Sequence, residues 1–245
     1  MTGYEPRTYR ERTLATGLVK FEVRMGATDL LISADGELTQ QAVAAVSKCR
    51  AEIEGHIRRR PEFLRALEPL RPVDSPPVVA AMYAAAEVAG VGPMAAVAGA
   101  VAEYVGRDLL QWSKQVIVEN GGDIFLSSTA ERLVAIHAGT SPFSGRVALA
   151  IPAGRTPVGV CTSSATVGHS LSFGRADAAT VVAADAALAD ALATATCNRI
   201  QQPDDIEPTL EWVLGIRGVC HAAIVLGDRL GTRGDLELRP ISGGS

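Results

Sequence analysis

The sequence predicts an α+β (mixed α/β) protein, with helices packed on a mixed or antiparallel sheet. Three observations predict it. Strand-like and helix-like stretches alternate without the regular βαβα rhythm of a doubly wound parallel sheet. The chain of 245 residues is 47% hydrophobic and 20% charged, enough apolar material for a sizeable core. Only 4% of residues are aromatic and alanine fills much of the apolar share, which predicts small side chains and close helix–sheet contact. The chain reads as one domain over 1–245, with a subdivision near 71–77 left open and loose termini at 1–8 and 242–245.

The elements follow in order. Residues Phe21 to Ser33 read as strand, with Gly26-Ala27-Thr28-Asp29 as a turn. Leu38 to Arg59 is the clearest helix: Leu38, Ala42, Val46, Cys49, Ile53 and Ile57 recur at steps of three and four and make one apolar face. The basic run Arg58-Arg59-Arg60 ends that helix, where positive charge suits its dipole. A short helix over Glu62 to Leu67 follows, then a connector from Arg71 to Pro77 carrying three prolines. Two alanine-rich helices come next, Val78 to Ala89 and Met94 to Leu110, broken at Gly90-Val91-Gly92-Pro93. Strands are expected at Val116 to Val118, Ile124 to Leu126, Leu133 to His137, Arg146 to Ile151 and Ala178 to Ala183. Helices are expected at Ala186 to Gln201 and Glu207 to Leu214. Val219 to Leu226 and Asp235 to Leu238 read as a closing hairpin.

Several function classes are disfavoured. A net charge of −4 argues against nucleic acid as a partner, since phosphate binding needs surplus Lys and Arg. The greasy stretch Val78 to Val105 is broken by Glu87, Gly90, Gly92 and Pro93, which argues against a membrane span. Cys49, Cys161, Cys197 and Cys220 lie far apart with no C-x-x-C pair, and Met1 to Arg12 lacks the apolar core of a signal peptide. The expectation is a reduced, cytoplasmic protein. Gly90-x-Gly92-x-x-Ala95 fits the loose dinucleotide fingerprint but follows a helical pattern rather than a strand, so it is rejected.

Three segments carry chemistry. In Glu119-Asn120-Gly121-Gly122-Asp123 the two glycines permit either close approach to a ligand or a plain hairpin turn. The run from Gly159 to Ser170, with Ser163, Ser164 and His169, reads as a hydroxyl-rich loop. It could hold phosphate or sugar, with His169 donating to an oxyanion, or be a polar surface loop. Asp190 and Thr194 stand four apart on one helix face and offer the hard oxygen ligands that Mg²⁺ prefers, or a simple structural hydrogen bond.

In this order, N-G-G-D-I at 120–124, the G-V-x-T-S loop from Gly159 and A-D-A-L-A-T-A from Ala189 resemble the ApbE-like superfamily, the FAD:protein FMN transferases. Cys161-Thr162-Ser163-Ser164, the run from Gly168 to Gly174 and Ala176-Asp177-Ala178 resemble an uncharacterised branch of it, over about Val78 to Gln201. The resemblance implies an ApbE-like, T-fold-related architecture, with FAD and Mg²⁺ as cofactors and transfer of FMN to a threonine or serine of an acceptor protein. It implies metal ligation by Asp190, Thr194 and the carbonyl of Ala95, and nucleotide contact from Glu103. The residues themselves put forward Gly121, Gly122, Asp123, Ser163 and Ser164 for cofactor binding, with His169 as the catalytic residue. The chain departs from the transferases at Ala98-Gly99-Ala100, where they carry A-K-G-Y, and after His169, where Asp-Pro and Thr-Gly are missing. A flavin-binding protein without catalysis and a scaffold without ligand therefore stay as alternatives. The acceptor protein and the oligomeric state, a homo-oligomer included, are left open.

Overall fold

The computed structural model describes residues 16–166 and 172–241. Eleven strands and six helices are defined among them. In chain order these are β1 (Val19–Met25), β2 (Thr28–Ala34), α1 (Thr39–Arg59), α2 (Glu62–Arg65), α3 (Pro77–Ala89), a 3₁₀ turn (Pro93–Ala96) and α4 (Val97–Leu109). Then come β3 (Val116–Asn120), β4 (Asp123–Ser127), β5 (Arg132–Ala135), β6 (Val147–Ile151), β7 (Val158–Ser163), β8 (Ala178–Ala183), α5 (Ala186–Arg199) and α6 (Ile206–Leu214). β9 (Val219–Leu226), β10 (Arg229–Gly234) and β11 (Glu237–Pro240) close the chain.

Eight strands form one antiparallel sheet in the order β1-β2-β3-β4-β7-β8-β9-β10, and β11-β6-β5 form a second. The α+β expectation holds. One face of the large sheet packs on the helices through Leu30, Ile32, Val118, Phe125 and Val181, against Val46, Met82, Val105 and Leu192. The other face packs on the small sheet through Ile124, Val160 and Val182, against Val134, Leu149 and Ile151. The central strands are thus buried on both sides, which is why they read as continuous apolar runs.

The helices follow their sequence signals. In α1 the residues Ala42, Val46, Cys49 and Ile53 are buried, as their spacing requires, and basic residues close the last turn. Short α2 is held by Phe63, whose ring meets His56 at 4.7 Å and Tyr83 at 5.0 Å edge-on. No single helix among the described residues is long and apolar enough to cross a membrane.

Three expectations are corrected. The run from Gly159 is not wholly a loop: Val158–Ser163 is strand β7, between β4 and β8. Its hydroxyls hid the pattern, and the strand survives because its apolar residues sit in both cores. The closing hairpin pairs β9 with β10, not with 235–238, and β11 crosses to β6 in the small sheet. Polar, glycine-containing Arg229–Gly234 is tolerated as a strand because it forms an exposed edge. Finally, residues 93–96 form a 3₁₀ turn and the α-helix begins at Val97, so the helix expected from Met94 starts one turn late.

A buried acidic site where two helices meet the sheet

The register of the large sheet sets the site. Asn120 pairs with Asp123, Asp123 with Cys161, and Cys161 with Val181. Paired residues of an antiparallel ladder point to the same face, so Asn120, Asp123 and Cys161 form a polar row. That row lies under the helices. Asn120 Nδ2 donates to the Ala98 carbonyl at 3.1 Å, and Cys161 Sγ to the Ala186 carbonyl at 3.4 Å. Asn120 and Asp123 flank a two-residue turn in which Gly121 (φ +71°) and Gly122 (φ +108°) occupy the left-handed region that favours glycine. The Gly122 N–H donates to Glu119 Oε1 at 3.0 Å.

Asp190 enters from the opposite side, on α5. Its Oδ2 accepts the Gly99 N–H at 2.8 Å, in the first turn of α4. Close approach of the two helices requires glycine at 99, because a Cβ there would lie 2.1 Å from the Ala186 carbonyl oxygen and 2.8 Å from Asp190 Cβ. Glycine at 159 serves β7 likewise, where a Cβ would meet Ala186 Cα at 2.3 Å.

The electrostatics are those of buried acids. Burial pushes the Asp123 carboxyl up to about 7, the Cys161 thiol and Thr162 N–H pull it down, and the charge of Glu119 raises it further. Burial, then the charge of Asp123, raises Asp190 well above the usual carboxylate range, opposed by the N–H groups of Gly99 and Ala98. Burial and both carboxylates raise the Cys161 thiol. Neither Asp123 nor Asp190 forms an ion pair among the described residues.

The expected site residues fall as follows. Thr194 lies one turn beyond Asp190 on α5 and is half-buried; Ala95 lies in the 3₁₀ turn that packs against α5. Glu103 is buried on α4, but its Oε2 accepts the Ala186 N–H at 2.6 Å and its Oε1 the Arg107 Nε at 2.8 Å. Ser163 Oγ is enclosed at the end of β7 with no hydrogen-bond partner among the described residues, a weak approach to the Cys197 thiol apart. Ser164 Oγ accepts the Thr166 N–H at 3.1 Å in a local turn. His169 lies outside the described residues. Cys161 and Gly99 stand in motifs of the sequence but gain a place at the site only through the β4–β7 register and the α4–α5 contact. A surface hollow of about 420 Å³ lies elsewhere, lined by Gln41, Lys48, Asp108 and Trp112, and none of the expected site residues line it.

Asp190 offers one hard oxygen ligand, and Asp123 adds a second buried acid beside it. Among the described residues no group of three His, Cys, Asp or Glu side chains converges on a metal position. A cation held by Asp190 would therefore complete its ligands from a hydroxyl, a carbonyl, water or a substrate oxygen, which suits Mg²⁺.

A family model described as "AbpE bacteria" matches residues 11–210. A UPF0280 protein of Methanoculleus marisnigri is 44% identical over 222 residues, covering 88% of each chain. One from Methanocella arvoryzae is 42% identical over 219 residues, covering 89% of this chain and 88% of its own. Among solved structures, the ApbE protein of Thermotoga maritima superposes with a TM-score of 0.55 at 15% identity, over 87% of this chain and 96% of that one. The apo flavinyl transferase ApbE of Pseudomonas stutzeri gives 0.54 at 14% identity, over 89% and 94%. At those identities the likeness is one of fold.

Proposed function

The chain belongs to the AbpE bacteria family, together with the UPF0280 proteins, and on that premise we propose that it is a Mg²⁺-dependent flavin-nucleotide-binding protein acting on the pyrophosphate of FAD. The reaction would be FMN transfer to a hydroxyl of an acceptor protein, or hydrolysis. The observation that carries the reading is the Asp123–Asp190 pair: both carboxyls are raised by burial, Asp190 is raised further by the charge of Asp123, and neither has an ion pair among the described residues. Burying like charges together is unfavourable unless a cation or a proton offsets them.

The residues fit the group in kind. Asp190, Thr194 and the Ala95 carbonyl would hold the ion, all on or against α5. Mg²⁺ there would neutralise pyrophosphate charge and ease departure of AMP. Asp123 would keep the sheet side of the site acidic, the Gly121-Gly122 turn would let backbone approach the flavin nucleotide, and Ser163 and Ser164 would offer hydroxyls at the end of β7. His169, as the donor to a developing oxyanion, completes the proposal. A cytoplasmic setting, with a flavin nucleotide and an acceptor protein as partners, belongs to the same reading.

A second reading, binding without transfer, is favoured by the start of α4. Ala98-Gly99-Ala100 carries no lysine, and Gly99 is packed tightly against Ala186 and Asp190. Calorimetry with FAD, with and without Mg²⁺, combined with chromatography of the nucleotides, tests both. Mg²⁺-dependent affinity with AMP released supports the reaction; affinity without AMP supports binding alone. No affinity for FAD in either condition rejects both.

A further inference from the structure

We infer that Glu103 is a positioning residue, which acts on the proposed cation site through helix α5 and Asp190 rather than by touching the nucleotide. The inference rests on the reading above and deepens it. Glu103 sits on α4, four residues after Gly99; Asp190 sits on α5, four residues after Ala186. Each carboxylate accepts the N–H at the amino end of the other helix: Asp190 Oδ2 from Gly99 at 2.8 Å, and Glu103 Oε2 from Ala186 at 2.6 Å. A spacing of four returns to the same helix face, so the two bonds lie side by side and the helices run in opposite directions between them. Each bond also satisfies a donor that a helix start leaves open and favours negative charge there.

The arrangement forms a closed ring of two carboxylates and two backbone donors. Helix α5 cannot slide along α4 without losing both bonds. Neither oxygen of Glu103 is left uncommitted, since Arg107 holds Oε1 through Nε at 2.8 Å and Nη2 at 2.8 Å. The Glu103 side chain is 7% exposed. The start of α5 is gripped a second time by its own Asp185, which accepts the Leu188 N–H at 2.8 Å, and a third time by Cys161 at the Ala186 carbonyl. Loss of Glu103 would therefore loosen the register of α5 without unravelling it. Asp190, one turn along, is the side chain that registers the change. This is the geometry of an outer partner that fixes a ligand, whose removal commonly lowers metal affinity about 10–100-fold.

The test uses the full chain as wild type, Glu103→Ala, Glu103→Gln, Arg107→Ala and the pair Glu103→Ala/Asp190→Asn. Hydrogen exchange at the Gly99 amide, measured without ligand, reads the position of Asp190 directly. Protection there should fall in Glu103→Ala, fall less in Arg107→Ala, and return in Glu103→Gln, whose amide oxygen still accepts from Ala186. Calorimetry with FAD then reads the consequence: the Mg²⁺-linked gain in affinity should drop about 10–100-fold in Glu103→Ala. With Asp190→Asn already present, Glu103→Ala should change FAD affinity by no more than about twofold, because coupled residues are not additive. Equal weakening of FAD with and without Mg²⁺, persisting beside Asp190→Asn, would overturn the inference and make Glu103 a nucleotide contact. Unchanged Gly99 protection in both Glu103→Ala and Arg107→Ala would overturn it too. Absence of Mg²⁺-linked FAD binding in the wild type would reject the cation reading alone, and the Gly99 amide would still decide whether Glu103 positions Asp190.

Discussion

The Gly99 N–H and the Asp190 carboxylate, 91 positions apart in the chain, meet across 2.8 Å, and the glycine is what lets them meet. A Cβ at 99 would lie 2.1 Å from a backbone carbonyl that cannot rotate away. Gly99→Ala should therefore part α4 from α5 and destabilise by about 1–3 kcal/mol or more, the range for overpacking a core. Chemical denaturation checks it. A variant as stable as wild type would mean that the helix contact is looser than the packing implies.

Asp190 separates structural from ligand roles by its two replacements. In Asp190→Asn an amide oxygen can still accept the Gly99 N–H, while the like charge beside Asp123 is gone, so the melting temperature should hold or rise. In Asp190→Ala the buried N–H groups at the start of α4 lose their acceptor, and stability should fall by about 1–3 kcal/mol. Any further stabilisation that Mg²⁺ adds to FAD should vanish in both. If Asn were as damaging as Ala without ligand, the charge itself would be structural and the cation site would be rejected.

His221 predicts an acid-side loss of stability. Its Nδ1 accepts the Leu236 N–H at 3.2 Å, so the proton sits on Nε2, which donates to Thr232 Oγ1 at 2.8 Å. Burial lowers its pKa to about 4, with the charge of Asp235 opposing. Below the ordinary value near 6.5 the unfolded chain takes up a proton that the folded chain refuses. The stabilisation is thus complete above about pH 6.5 and is lost as pH falls through about 4. Between pH 7 and pH 5.5 the loss should be about 1 kcal/mol. Asp123, raised by burial, works in the other direction over much of that range, so the comparison is between wild type and His221→Gln, in which the histidine contribution is absent. An identical pH profile for the two proteins would contradict the prediction.

The four cysteines are free thiols, three of them buried and Cys220 half-buried. Burial raises Cys49 to about 11, so it is also a poor nucleophile near neutrality. In the folded protein a thiol reagent should label Cys220 first and leave Cys49, Cys161 and Cys197 slow. After denaturation without reductant it should find all four; a smaller number would reveal a disulfide.

Local patterning accounts for the features that depend on near neighbours in the chain. A 3–4 period fixed the buried face of α1, Asn-Gly-Gly-Asp fixed a turn between two strands, and a spacing of four placed Asp190 and Thr194 on one side of a helix. The order of short motifs was enough to point to the family. What surrounds Asp190 was decided only in three dimensions. Asp123 joins it because β4 pairs with β7 in one register and α5 lies across that row. Glu103 turns to Ala186, 83 positions away, because two helices approach closely enough for each to close the start of the other. The same limit explains the misread strands. Val158–Ser163 is a strand because both its faces are covered, and Arg229–Gly234 because β9 offers it an edge. Backbone pairing and burial are supplied by partners distant in the chain, and no local pattern of side chains encodes which partner arrives.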